Sequence, residues 1–182
     1  MKRSKALIAA ALVMGIFFLF QFAAEFFFAL GKDKIPEIGL KNLQMSMKLF
    51  PLSAQYPSEA GFALLEKGIR DNDADTVIKS VHFFQAAAKI NSLDYQSHYY
   101  LAKAYLQLST AAGVYFDMAM DELKRAAHIR GSNKQIALDC SRVFFSVWPL
   151  LEDEDRTFAA GLLLAAMPAL SWSEFSPLME MW

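Results

Sequence analysis

His82, His98 and His128 are the only histidines of the chain, and Cys140 is its one cysteine. A metal centre or an activated nucleophile would have to be assembled from these residues and the carboxylates. No His-x3-His pair and no HExxH helix occurs, so a zinc site of that kind is excluded. One cysteine rules out both an intrachain disulfide and a cysteine-based cage. Cys140 is expected on a helix face turned towards its neighbour, as a buried and inert thiol. His98, beside Tyr99 and Tyr100, reads as a packing or surface residue at the start of a helix. The acidic run Glu152-Asp153-Glu154-Asp155 suits a helix N-terminus, where carboxylates oppose the dipole, better than calcium, because no loop of ligand spacing follows. Asp71-Asn72-Asp73-Ala74-Asp75 carries the first half of a calcium-loop pattern without its glycine and distal glutamate, and is read as capping a helix that starts at Thr76. No glycine-rich phosphate loop and no serine-centred elbow occurs. No catalytic residue, metal ligand or cofactor site is assigned, and the chain is read as a non-enzyme.

The elements that surround these residues are helical. The 182 residues carry a net charge of -1, which gives no electrostatic case for nucleic acid as a partner. The apolar share of 55% exceeds the roughly 45–50% usual for soluble domains. Much of the excess lies in residues 6–30, which follow the basic Lys2, Arg3 and Lys5 and are broken only by Gln21 and Glu25. A helix rises about 1.5 Å per residue, so this stretch exceeds the ~30 Å of a bilayer core and can span it with some tilt. Three Lys/Arg before the span against Lys32 and Lys34 after it favour a cytoplasmic N-terminus, with everything after Gly31 delivered to the other side. The rival is a cleaved signal peptide ending near Ala29-Leu30-Gly31, but the apolar stretch far exceeds a usual h-region. Residues 1–34 are therefore read as a retained single-pass anchor in a bacterial inner membrane, and residues 35–182 as a domain in the periplasm or outside. Gln21 and Glu25, one helical turn apart, are the expected polar membrane contacts, towards headgroups or another membrane helix. The phenylalanines between Phe17 and Phe28 suit lipid or a subunit groove.

Beyond residue 35 two patterns recur. The first is small-x3-large-x2-small-apolar: Gly39, Leu43, Ser46, Met47; Ser80, Phe84, Ala87, Ala88; Ala119, Leu123, Ala126, Ala127; and, more loosely, Ala159, Leu163, Ala166, Met167. The second is apolar-small-x2-large: Ala60, Gly61, Leu64; Leu101, Ala102, Tyr105; Cys140, Ser141, Phe144. Both repeat with a period near forty residues. These residues resemble the tetratricopeptide repeat (TPR) family, with Gly68 matching its turn glycine and Pro51 its closing proline. Ser92 and Gly131 stand where further closing prolines belong, and the excess over the family's period is expected in the loops at 71–75, 110–114 and 149–155. The implied architecture is all-α: the anchor helix, a half repeat at 37–50, and helix pairs near 57–91, 95–130 and 134–167. Pro168 then breaks the chain. Ser171–Phe175 looks like the start of another helix, and an apolar face near Trp182 is expected to dock on a partner or to continue into something larger.

The resemblance implies a concave face lined by the first helix of each pair. The residues it selects are Gln55, Ser58, Phe62 and Leu65; Gln96, Tyr99, Lys103 and Leu106; and Gln135, Leu138, Arg142 and Phe145. Of these, Phe62, Tyr99, Lys103, Leu106, Leu138, Arg142 and Phe145 are the expected partner-binding residues, forming an apolar groove with two cations for a peptide or helix. The function expected is a membrane-anchored scaffold for protein interaction in assembly of a cell-envelope complex. The alternative is a structural accessory subunit of a large membrane complex, attached through its membrane helix.

Overall fold

A computed structural model describes residues 2–32, 36–109, 113–130 and 133–166 of the chain. The fold is all-α, and no strand occurs among the described residues. The expectations for Pro168, for residues 171–175 and for Trp182 lie outside the described residues. The chain divides into two compact units, Met1–Ile90 and Asn91–Trp182.

The first unit holds α1 (Lys2–Lys32), α2 (Pro36–Leu49), α3 (Gln55–Asp71) and α4 (Ala74–Ile90). Helix α2 stops two residues before Pro51, whose ring and missing N–H oppose its continuation. Helix α3 stops at Asn72, in the left-handed conformation (φ 51°) that asparagine tolerates. The Asp73 N–H then closes on the Gly68 carbonyl at 2.9 Å. Asp73 caps α4 in turn: the Asp75 N–H donates to its Oδ1 at 3.0 Å and the Thr76 hydroxyl to its Oδ2. Those hydrogen bonds hold the Asp73 carboxyl below its ordinary pKa. So 71–75 is a tight corner, not the long loop expected from the repeat period. The excess length sits in α3 and α4, at 17 residues each.

The small residues of the repeat act as notches. A Cβ on Gly61 would stand 2.9 Å from the Phe84 ring, which is fully buried against it. A Cβ on Gly68 would lie 2.6 Å from a Val77 methyl. The large residue of α4 thus fills the space left by the small residue of α3, as helix packing at close range requires.

The same device joins α1 to α2. A Cβ on Gly31 would meet the Gly39 carbonyl oxygen at 2.9 Å. Ala24 and Phe28 of α1 are buried in one cluster with Leu43, Tyr56 and Ala60. Further back along α1, the Phe17 and Phe50 rings meet edge to face at 5.4 Å, so α2 runs antiparallel to the last half of α1. Ala23-Ala24-x2-Phe27 repeats the helix-A pattern, and Gly31 follows Ala24 by seven residues, as Gly68 follows Gly61. The half repeat expected at 37–50 is therefore a whole one, with the end of α1 as its first helix. Within the first unit the apolar helix and the helices that follow it share one core.

The second unit holds α5 (Tyr95–Leu108), α6 (Val114–Arg130), α7 (Lys134–Ser146) and α8 (Asp153–Ala166). Asp94 caps α5 by accepting from the Gln96 and Ser97 amides, and Asn133 caps α7 by accepting from Gln135. Helices α5 and α6 form one pair, α7 and α8 another, and α6 packs on α7. Here the connection between the paired helices α7 and α8 is long, with a single 3-10 turn at Trp148–Leu150. Ala102, Leu123, Ala126, Phe144 and Cys140 are fully buried. Burial pushes the Cys140 thiol up to about 12, so no thiolate forms near neutral pH.

Candidate partner-binding face

Five of the expected groove residues, Gln96, Tyr99, Lys103, Gln135 and Arg142, lie on α5 and α7 with their polar ends accessible. Helix spacing of three to four residues puts Gln96, Tyr99, Lys103 and Leu106 on one stripe of α5, and Gln135, Asp139 and Arg142 on one stripe of α7. Tyr99 is half-buried, and its phenol is pushed up to about 12, first by burial and then by the Asp139 carboxylate. It therefore offers a neutral O–H at any physiological pH. The exposed Lys103 ammonium lies over two rings, 5.6 Å from the Tyr99 centroid and 5.9 Å from that of Tyr100. Across the face Asp139 takes Arg142 at 3.5 Å and accepts from the Gln135 amide at 3.1 Å. Arg142 nevertheless keeps about half of its side chain in solvent, at 48%. The result is an amphipathic surface with an aromatic floor, two accessible cations and one carboxylate that orients the second cation.

Three expected lining residues do not belong to it. Leu138 and Phe145 are each only 2% exposed and form a core cluster with Leu163, against which Trp148 packs. Leu65 is 3% exposed. Each sits one position round the helix from the accessible stripe, where the neighbouring helix covers it. Leu106 is half-buried, and so is Phe62, which lies on α3 in the first unit.

The polar residues of α1 are also placed. Gln21 is half-buried. Glu25 accepts a hydrogen bond from the Tyr56 hydroxyl at 2.8 Å, tying α1 to the start of α3. Burial, and then Glu25, pushes the Tyr56 phenol up to about 12.

Two charged links in the second unit have no sequence spacing that announces them. His98 Nδ1 meets the Glu122 carboxylate and its Nε2 meets the Ser92 carbonyl at 3.2 Å. Both partners are acceptors, so the ring that satisfies both is the imidazolium. Its pKa is raised, chiefly by the Glu122 hydrogen bond, against the lowering effect of burial. Arg125 adds a second hydrogen bond to Glu122 at 2.9 Å. Lys124 of α6 reaches Asp155 and Glu154 in the first turn of α8. It lines an open cleft of about 570 Å³ floored by His128 and Phe158, whose rings pack edge to face at 5.3 Å. Among the described residues no three His, Cys, Asp or Glu side chains converge as metal ligands.

No protein-family model matches the chain, and no curated protein matches it. Solved structures do. A crystal structure of MamA aligns with a TM-score of 0.56 at 15% identity, covering 80% of this chain and 77% of that one. A crystal structure described as MamA protein aligns with the same score at 17% identity, covering 80% of this chain and 72% of that one. At these identities the likeness concerns the fold alone, and it agrees with the TPR-like helix pairs found here.

Proposed function

We propose that the chain is a membrane-anchored scaffold that binds other proteins through its TPR-like repeats, in assembly of a cell-envelope complex. The observation that carries the binding role is the accessible stripe of Tyr99, Lys103 and Arg142, whose cations are displayed but not buried. Its preferred ligand is a peptide or helix with apolar residues and a carboxylate, met by Lys103 or Arg142. Leu106 supplies apolar surface beside the stripe in the second unit, and Phe62 supplies apolar surface in the first.

The anchor in this reading is α1. One stretch of it, Ala9–Gly31, is long and apolar enough to cross a bilayer. By the basic residues before it, the repeats lie in the periplasm or outside. Protease added from each side of sealed membranes tests this: repeats digested only from the cytoplasmic face reverse the orientation. For the binding face, the full chain is isolated from native membranes in mild detergent, beside a variant carrying Tyr99→Ala, Lys103→Glu and Arg142→Glu. Partners that co-purify with the parent should be lost from the variant, and partners retained in full exclude this face. A second reading, an accessory subunit held through its membrane helix, is favoured by the aromatic surface of α1. It predicts release of the partner when residues 6–30 are exchanged for an unrelated membrane helix.

A further inference from the structure

We infer that the turn Phe50–Leu52 is seated within the lipid leaflet beside α1, so that the first repeat stands in the membrane surface and is not held away from it. The inference rests on reading α1 as a membrane span, and it follows from one conflict in the first unit. The apolar stretch runs Ala9–Gly31, yet α2 packs along the same helix from Gly31 back to Phe17. Were the whole stretch immersed, α2 would be immersed with it, together with its exposed Lys41, Gln44 and Lys48. Hydrocarbon does not accept that polar surface.

Sliding the span towards the N-terminus removes the conflict. The nineteen residues 6–24 reach about 28 Å as helix, close to the ~30 Å of a bilayer core. The boundary then falls between Ala24 and Glu25. There the first polar layer is already built, since the Tyr56 hydroxyl donates to Glu25 at 2.8 Å. Tyrosine with an apolar body and a polar tip suits that level. Lys41 and Gln44 lie towards the Gly31 end of α2 and stay outside.

The geometry also carries one part of the repeat inwards. Phe17 is seven residues below Ala24, about 10 Å deeper along the helix. Phe50 touches Phe17, so the turn that follows α2 sits at that depth. Its residues fit the place: Pro51 is exposed and apolar, and Leu52 is 70% exposed. The flexible stem of Lys48 allows its ammonium to rise towards the headgroups. Lipid is the occupant rather than a partner helix because the exposed aromatics do not form one stripe. Phe17, Phe18, Phe20 and Phe22 are 43%, 58%, 49% and 74% exposed and point to different sides of α1. One helix covers one side, whereas lipid surrounds them all.

The test uses the full chain with Cys140→Ala, reconstituted into phosphatidylcholine–phosphatidylglycerol vesicles. A polarity-sensitive fluorophore is attached singly at Met14→Cys, Leu52→Cys or Ile69→Cys, all accessible positions. Quenching by nitroxide on the acyl chains is compared with quenching by aqueous iodide. The expected result is that the labels at positions 14 and 52 are quenched severalfold more by the nitroxide, and the label at 69 by iodide. If 52 behaves like 69 while 14 stays with the lipid, the anchor stands and the seated turn is wrong. If 14 itself is open to iodide, the anchor reading fails first. If 52 is shielded from both quenchers, another copy of the chain covers the turn, and lipid is excluded as its occupant.

Discussion

The two compact units are built from the same kind of helix pair, and a different set of contacts stands out in each. In Met1–Ile90 the joints are apolar and close: Gly31 against Gly39, Gly61 against Phe84, Gly68 against Val77, with the Tyr56–Glu25 hydrogen bond as a polar tie. In Asn91–Trp182 the helices are also cross-linked by charge: His98 of α5 to Glu122 of α6, and Lys124 of α6 to Asp155 of α8. The contrast has a physical reading. Notches of glycine need no water and are indifferent to salt, whereas ion pairs respond to pH and, where they are partly exposed as at Lys124, to salt. The first unit is thus held by close apolar contacts, the second also by contacts that answer to pH.

The largest expected effect tests the apolar side of this contrast. Phe84→Ala empties the notch beside Gly61 and should cost about 3–5 kcal/mol of stability, with little dependence on salt. Thermal unfolding of the full chain in detergent at low and high ionic strength checks it. A strong salt effect would show that the first unit also relies on charge.

Filling the same notch should cost less. Gly61→Ala pushes a methyl to 2.9 Å from a ring that has no free side to move to, for roughly 1–3 kcal/mol. An unchanged melting temperature would mean that the Phe84 ring has room to shift.

The charged unit supplies the next effect, and its sign is set by His98. The folded pKa of this imidazole lies above its ordinary 6.5, so its contribution is fully present below pH 6.5 and is lost as pH rises through the raised folded value. A hydrogen bond to a charged group contributes about 1.5–3 kcal/mol. Hydrogen exchange of the α5 and α6 amides should therefore accelerate from pH 6.5 upwards, after correction for the intrinsic rate. His98→Gln should flatten that dependence. A slope that persists in the variant points to another group.

The smallest effect is expected at Lys124→Met. Its ammonium is partly exposed, and an ion pair of that kind contributes up to about 1 kcal/mol. The loss should shrink at high salt, which distinguishes it from the salt-insensitive losses in the first unit.

Much of this architecture is legible in the chain itself. The period near forty, the small-large alternation and the stop at Pro51 are local properties, because helix pairs form between neighbours and each pair repeats the same notch. Leu43, Phe84 and Leu123 are read directly as core residues, and all three are buried. Inertness of Cys140 follows from the same register. The accessible stripe on α5 is legible too, since Tyr99 and Lys103 fall three to four residues apart on a helix whose opposite face is plainly apolar.

Three things depend on contacts that no local pattern records. Leu138 and Phe145 look available on a helical wheel, but α8 and Trp148 close over them. The imidazolium of His98 needs Glu122, a partner 24 residues away on the paired helix. Above all, the role of α1 is hidden by its composition. In a segment apolar on every side, Ala24 and Gly31 carry no contrast that marks them as a notch. Only when α2 folds back does Gly31 meet Gly39 and Tyr56 find Glu25, and the helix that reads as a tether becomes the first half of a repeat.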